Sequence, residues 1–153
     1  MKVLLDTSVL VAGLIPSHPR HAVAQPWLDG AKRGTLELVI SSHSIAELYA
    51  VLTRMPARPR ISGPIAVQLI ADILTAAQTV VLSGSDYQDV ITSLAQNGLV
   101  GGVVYDAVIA RAAELENVDH LLTLNEVDFQ RIWPSGAARI ASPQTLPPPT
   151  DSP

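Results

Sequence analysis

The sequence predicts an α/β protein, a three-layer α/β/α sandwich built on a parallel sheet. Short aliphatic runs, headed by Val3-Leu4-Leu5, alternate along the chain with longer segments patterned at helical spacing. Alternation of this kind builds a parallel sheet covered on both faces. The first run is apolar at every position rather than at every second one, as in a strand buried on both sides. Apolar residues make up 48% of the 153 and aromatics only 4%, so a single domain must fill its core with Val, Leu, Ile and Ala.

The elements follow in order. Residues 3–5 are the first strand, and Asp6-Thr7-Ser8 breaks it with side chains suited to turns and helix caps. Residues 19–32 pattern as a helix, kinked at Pro26 and ended by Gly34. Residues 36–40 are a second strand. Ile45, Leu48 and Leu52 make an apolar stripe on a helix over 44–55. Residues 56–63 read as an exposed loop, and 64–77 as a helix capped by Ser62 with Pro64 in its first turn. A third strand at 79–82 leads to a helix at 86–96, introduced by Ser85 and stopped by Asn97-Gly98. Residues 99–105, with Gly101-Gly102, read as loop. An Ala-rich helix at 106–116 leads to a fourth strand at 120–124, closed by Asn125, and 139–141 is a short last strand. The domain is thus 1–141. Residues 142–153 hold Pro143, Pro147, Pro148, Pro149 and Pro153 and read as a disordered tail.

Composition narrows the function classes. There is no cysteine, which excludes disulfides and thiolate-held metals. No apolar run reaches the ~18 residues of a membrane span, and no signal-peptide pattern opens the chain. A cytoplasmic protein without a membrane partner is expected. The net charge is -4 and the pI near 5.4. Nucleic-acid binders usually carry a basic contact face, but a site for divalent cations needs several acids, and the cations reverse the local field. The positive charge is clustered at Arg54, Arg58 and Arg60 and at Lys32-Arg33. The Lys32-Arg33 pair suits a helix C-terminus.

In parallel α/β sheets ligands sit at the carboxyl ends of the strands, and the acids fall there. Asp6 ends the first strand and Glu47 lies in the first turn of the helix after the second. Asp106 starts the helix leading to the fourth strand, and Asn125 ends that strand with Asp128 just beyond. Local explanations exist for most of them. Asp106 suits a helix cap, Ser44 to Glu47 fits a capping box, and Asp128 suits a turn. Asp6 is harder to explain locally, because a carboxylate after an aliphatic strand is costly to bury unless paired or metal-bound. Three or four carboxylates on one rim repel each other, and a divalent cation is their natural partner. Oxygen donors without cysteine favour Mg²⁺ or Mn²⁺ over zinc. His18, His21, His43 and His120 form no ligand set, and Ser8 has no nucleophile elbow around it.

Several stretches then read together: Leu4-Leu5-Asp6-Thr7-Ser8, Ser44-Ile45-Ala46-Glu47-Leu48 followed by Leu52-Thr53-Arg54, Tyr105-Asp106-Ala107 with its Ala-rich helix, and Leu122-Thr123-Leu124-Asn125 through Asp128-Phe129. In this order and spacing they resemble the PIN-domain family, in particular the VapC-type toxin ribonucleases of toxin–antitoxin systems. The resemblance covers Met1 to about Ala141. It implies an α/β/α sandwich and a Mg²⁺-dependent RNA endonuclease. Asp6, Glu47 and Asp106 match the three main acidic positions, and Thr7 and Thr123 match polar positions bordering the site. The fourth position, often Asp, falls on Asn125, whose amide oxygen coordinates without charge; a tightly held second metal would need Asp128 instead. The resemblance also implies an RNA substrate, a homodimer and a cognate antitoxin.

The expected reaction is in-line attack of a metal-activated water on the RNA phosphodiester, with Arg54 and its loop neighbours holding the backbone. Two other readings stay open. One is a catalytically weak or inactive module of the same fold that binds RNA or protein, which Asn125 favours and the three acids oppose. The other is a phosphatase with Asp6 as nucleophile. Such sites need a lysine against the phosphoryl charge, and the chain has only Lys2 and Lys32. Finally, Ile45, Leu48, Tyr49, Leu52, Ile65, Leu69, Ile70 and Ile73 give two neighbouring helices an apolar surface that either fills the core or forms the homodimer interface.

Overall fold

The computed structural model describes residues 1–148. Strands β1 (Lys2–Leu5), β2 (Glu37–Ser41), β3 (Ala77–Val80), β4 (His120–Leu122) and β5 (Ile140–Ala141) form one sheet in the order β3-β2-β1-β4-β5. Every neighbouring pair is parallel. The helices are α1 (Thr7–Leu14), α2 (His21–Arg33), α3 (Ser42–Arg54), α4 (Gly63–Ala76), α5 (Gly84–Gln96), α6 (Val103–Leu115) and α7 (Glu126–Ile132), followed by a 3-10 turn at Pro134–Arg139.

Alternate strand residues serve two cores. Val3, Leu5, Leu38, Ile40 and Leu122 pack with α1, α2, α3 and α4. Leu4, Val39, Leu121 and Ile140 pack with α5, α6 and α7 on the opposite face. Burying one aliphatic side chain contributes about 1.5–3 kcal/mol, and here each central strand position contributes to one layer or the other. This is why β1, β2 and β4 are apolar through residues 3–5, 38–40 and 121–122, whereas edge strand β3 carries Gln78 and Thr79; it is the expected three-layer sandwich.

Several elements differ from the pattern reading. Residues 7–14, expected only to break the first strand, form α1. Thr7, Val9, Leu10, Val11, Ala12 and Gly13 are all buried, and a helix apolar on every side shows no stripe to read. Helix α3 begins at Ser42 with Ser41 as its cap, so Ser44 caps nothing and the expected Ser44–Glu47 capping box is absent. Ser44 is buried, and its hydroxyl has no partner among the described residues. The capping box that does form is at α5, between Ser83 and Asp86 rather than at Ser85, and β3 runs from Ala77 to Val80, two residues earlier at each end than the expected 79–82. Helix α6 starts at Val103, so Asp106 lies in its first turn rather than at its cap. Asp128 sits in α7, not in a turn.

The chain stays packed beyond β5. Ser142 and Pro143 are buried, the Ser142 carbonyl accepts from the amides of Thr145 at 3.0 Å and Leu146 at 3.1 Å, and Leu146 packs against the α1–α4 core. The first residues of the expected tail are therefore docked on the domain, while 149–153 lie outside the described residues. Of the apolar residues on α3 and α4, Leu48, Leu52 and Ile73 are buried, and Ile45, Leu69 and Ile70 pack at the core's edge. Tyr49 and Ile65 remain exposed, together with Val67 and Leu74. No helix among the described residues is long and apolar enough to cross a membrane.

One contact sets a steep packing requirement. A Cβ at Gly136 would lie 2.0 Å from Cε2 and 2.1 Å from Cδ2 of Trp133. Trp133 is almost fully buried in the α5–α7 core, so its rigid indole has little room to yield. Gly136→Ala is expected to cost about 2–3 kcal/mol, which lowers the melting temperature by roughly 5–10 °C for a domain of this size. A thermal melt checks this, and an unchanged midpoint would show that the ring moves aside freely.

Candidate active site

Strand order reverses at β1: the chain adds β2 and β3 on one side and β4 and β5 on the other. The crevice at the carboxyl ends of β1 and β4 is the topological switch point, where parallel α/β folds bind their ligands. Asp6 stands there. Its backbone amide extends the ladder to the Leu122 carbonyl at 2.9 Å, and its own carbonyl accepts from Val9 and Leu10 to open α1. The side chain is 4% exposed. Asp6 Oδ2 accepts from the Ser8 hydroxyl at 2.6 Å and from the Thr123 hydroxyl at 2.9 Å. Thr123 follows β4 directly, so this bond ties the ends of the two central strands together. Thr123 Oγ1 also accepts from the Asn125 amide at 3.0 Å, and Ser8 Oγ from the Leu124 amide at 3.2 Å. The loop after β4 is thereby fastened to Asp6.

Glu47 and Asp106 reach the same rim from two helices. Glu47 lies in the second turn of α3, one turn later than expected, and its Oε2 accepts from the Thr7 hydroxyl at 2.6 Å. Asp106, in the first turn of α6, has its pKa pushed up to about 6. Burial is the main cause, followed by the negative charges of Asp6, Glu47 and Asp128. Burial likewise raises Asp6; the hydroxyls of Ser8 and Thr123 oppose the rise, and the charge of Glu47 adds to it. Among the described residues no ion pair involves Asp6, Glu47 or Asp106; Asp128 has only a long contact of 3.8 Å to exposed Arg131. The rim therefore concentrates negative charge with no cationic side chain among the described residues to offset it.

The donor set suits a hard divalent cation, being all oxygen and short of positive charge. Asp6, Glu47 and Asp106 would hold it, with Asp128 and Asn125 beside them. The donors are not closed on one point, however: among the described residues no three His, Asp or Glu side chains form a ready ligand group. Ser8 and Thr123 hold Asp6, and Thr7 holds Glu47, so the carboxylates are oriented individually.

The other sequence candidates divide. Thr7 and Thr123 are within the site as hydrogen-bond donors to its carboxylates. The Asn125 side chain is exposed and makes no hydrogen bond to a described residue, although its backbone is anchored through Thr123. Arg54 is exposed at the C-terminal end of α3, seven residues beyond Glu47. It lies on the same helix face, about 10 Å along the axis. Lys2 is at the amino end of β1, with Nζ 2.6 Å from Glu116 and 3.5 Å from Glu37. It is thus held at the opposite end of the strand from Asp6, and Lys32 is exposed in the last turn of α2. The phosphatase reading has no lysine at the site.

Ser8, expected as a strand-breaking residue and set aside as a nucleophile, holds Asp6. Its spacing of two from an acid at a strand end is the one available signal. A stacked ring pair also borders the rim. His43 in α3 and Tyr105 in α6 have centroids 5.1 Å apart and planes 7° from parallel. Their separation in sequence hides the contact.

Thr123→Val tests the hydroxyl bridge. It removes a donor to Asp6 and an acceptor for the Asn125 amide. The expected cost is about 1–3 kcal/mol, together with a further rise in the pKa of Asp6, since that hydrogen bond lowers it. Carbon-13 NMR titration of the Asp6 carboxyl reads the shift; an unmoved titration would mean that the bond does not stabilise the charge.

Fold and rim define a class: a parallel α/β domain with carboxylates gathered at the switch point of its sheet. Residues 3–132 match the family model of the PIN domain, and the chain belongs to that family. It is similar to Ribonuclease VapC27 of Mycobacterium tuberculosis, with 36% identity over 109 residues, covering 71% of this chain and 74% of that protein. It is also similar to Ribonuclease VapC40 of the same organism, with 35% identity over 109 residues, covering 71% and 76%. Among solved structures it is similar to a chain of VapBC2 from Rickettsia felis bound to a DNA fragment from their promoter, with a TM-score of 0.65, 25% identity, and coverage of 93% and 98%.

Proposed function

We propose that this chain is a ribonuclease that hydrolyses RNA phosphodiester bonds with Mg²⁺ or Mn²⁺ and serves as the toxin of a toxin–antitoxin pair in the cytoplasm. The observation that carries the reading is the carboxylate rim at the switch point, with Asp106 raised to about 6 by burial first and by its acidic neighbours second. The relatives named ribonucleases support the chemistry.

This chain's residues do the positioning. Ser8 and Thr123 fix the orientation of buried Asp6, and Thr7 fixes Glu47. Asp106 gives up its proton near neutral pH, which completes the negative site. When bound, a divalent cation supplies Lewis-acid stabilisation of the phosphate and a lowered pKa for water. Arg54, on the Glu47 face of α3, offers a charge to the RNA backbone beyond the rim.

The similarity to a VapBC pair supports a cognate antitoxin. A basic residue of that partner placed among Asp6, Glu47 and Asp106 would relieve their repulsion and exclude a cation. Val67 and Leu74, seven apart on one face of α4, leave exposed apolar side chains that support a homodimer. Light scattering tests the dimer, and co-expression with the adjacent gene product tests the antitoxin. A monomer, or a complex as active as the free chain, would overturn the respective half. For the activity itself, purified protein is incubated with total RNA in Mg²⁺ or in EDTA. Discrete products in Mg²⁺ alone are expected. No cleavage with either cation would favour the inactive binding module that neutral Asn125 suggests.

Asn125→Asp adds charge beside Asp6 through a loop already anchored there. Mn²⁺ affinity is expected to rise severalfold. Isothermal titration of both proteins decides it, and equal affinities would remove position 125 from the site.

A further inference from the structure

We infer that Tyr105, backed by His43, is a stacking platform for an unpaired nucleobase beside the carboxylate rim. The inference rests on the ribonuclease reading of the same site. The two rings lie nearly parallel, 7° apart, at a centroid distance of 5.1 Å, within the range of offset stacking. One face of Tyr105 is taken by His43, yet the residue is 52% exposed, which leaves ring surface for a second stacking partner. The platform is placed by the helices that carry the acids. Tyr105 immediately precedes Asp106 in α6, and His43 is four residues before Glu47 on the same face of α3.

The electrostatics favour this kind of contact. The chain is acidic overall at -4, and the rim repels phosphate until a cation is present. A base carries no charge, so stacking gives the RNA a foothold that the carboxylates do not oppose. Stacking on an open ring needs a base that is not paired, and tyrosine and histidine are used in this way by single-strand binders. The competing role for the pair is to pin α3 to α6.

The test uses the full chain and short 5′-labelled RNAs of random sequence. Fluorescence anisotropy in EDTA reads binding; cleavage in Mg²⁺ with sequencing of the cut ends reads kcat, KM and base preference. Tyr105→Ala is expected to weaken binding and raise KM by roughly tenfold, with kcat little changed and the base preference flattened at one nucleotide next to the cut. Tyr105→Phe should retain all three. If Tyr105→Ala binds as tightly as the wild type, or loses only kcat and thermal stability, the platform is wrong and the pair merely pins the helices. If Tyr105→Phe is as impaired as Tyr105→Ala, the hydroxyl rather than the ring face is at work and the inference fails. Binding that depends on Tyr105 without any cleavage would uphold the platform and overturn the ribonuclease reading.

Discussion

Asp6→Asn is expected to reduce RNA cleavage by about 10²–10³-fold, the scale on which single electrostatic stabilisers act in hydrolase sites, while leaving the chain folded. Asp6 is buried, and burial raises its pKa, so its ionised form works against the fold. A neutral isostere relieves that cost and keeps an oxygen for the Ser8 and Thr123 hydroxyls. Loss of activity with an unchanged or higher melting temperature would therefore assign Asp6 to chemistry rather than to stability. Wild-type turnover in Asp6→Asn would remove it from the site.

The second large effect is expected at Asp106. Its pKa in the fold is about 6, above the ordinary 3.8, so the folded chain holds this proton more tightly than the unfolded one. The sign follows by linkage: metal-free stability falls as pH rises from about 4 through 6, then levels off. The shift is worth about 3 kcal/mol at full value, and roughly half that once solvent screens the half-exposed side chain. Asp106→Asn should therefore stabilise the metal-free protein at pH 7 by about 1–2 kcal/mol, or roughly 3–6 °C, and not at pH 4. Divalent cation affinity should fall as the pH drops below 6, because the cation competes with that proton. Thermal melts of both proteins across this pH range check the sign. Equal stability at pH 7 would mean that neither burial nor the charges of Asp6, Glu47 and Asp128 raises Asp106.

Much of this organisation is legible in the sequence wherever local pattern and burial coincide. Val3-Leu4-Leu5 is apolar at each position because its residues feed two cores, and that placed Asp6 at a strand end. Gly34 ends α2 in a left-handed conformation, φ 75°, that glycine adopts without strain. Ser62 caps α4 as its position suggests. Helix α1 escaped because it is buried almost all round, leaving no stripe. The cap of α3 is ambiguous in the sequence because Ser41 and Ser44 are both capping residue types, and only the strand's end selects Ser41. The acids themselves were visible; the hydroxyls that orient them were less so. Thr123 and Asp6 are 117 positions apart, and it was family resemblance, not spacing, that pointed to Thr123. The His43–Tyr105 stack is a purely tertiary event.

The central claim is that Asp6, Glu47 and Asp106 together take up a divalent cation to cut RNA. Its most direct test is the Mg²⁺ dependence of cleavage of one defined RNA by the wild type and by Asp106→Asn. The wild type should be inactive in EDTA and saturate with Mg²⁺, and Asp106→Asn should need at least about tenfold more Mg²⁺ for any activity it keeps, the scale set by losing a group that supports a metal site. Cleavage that persists in EDTA, or an identical Mg²⁺ dependence in the two proteins, would contradict it.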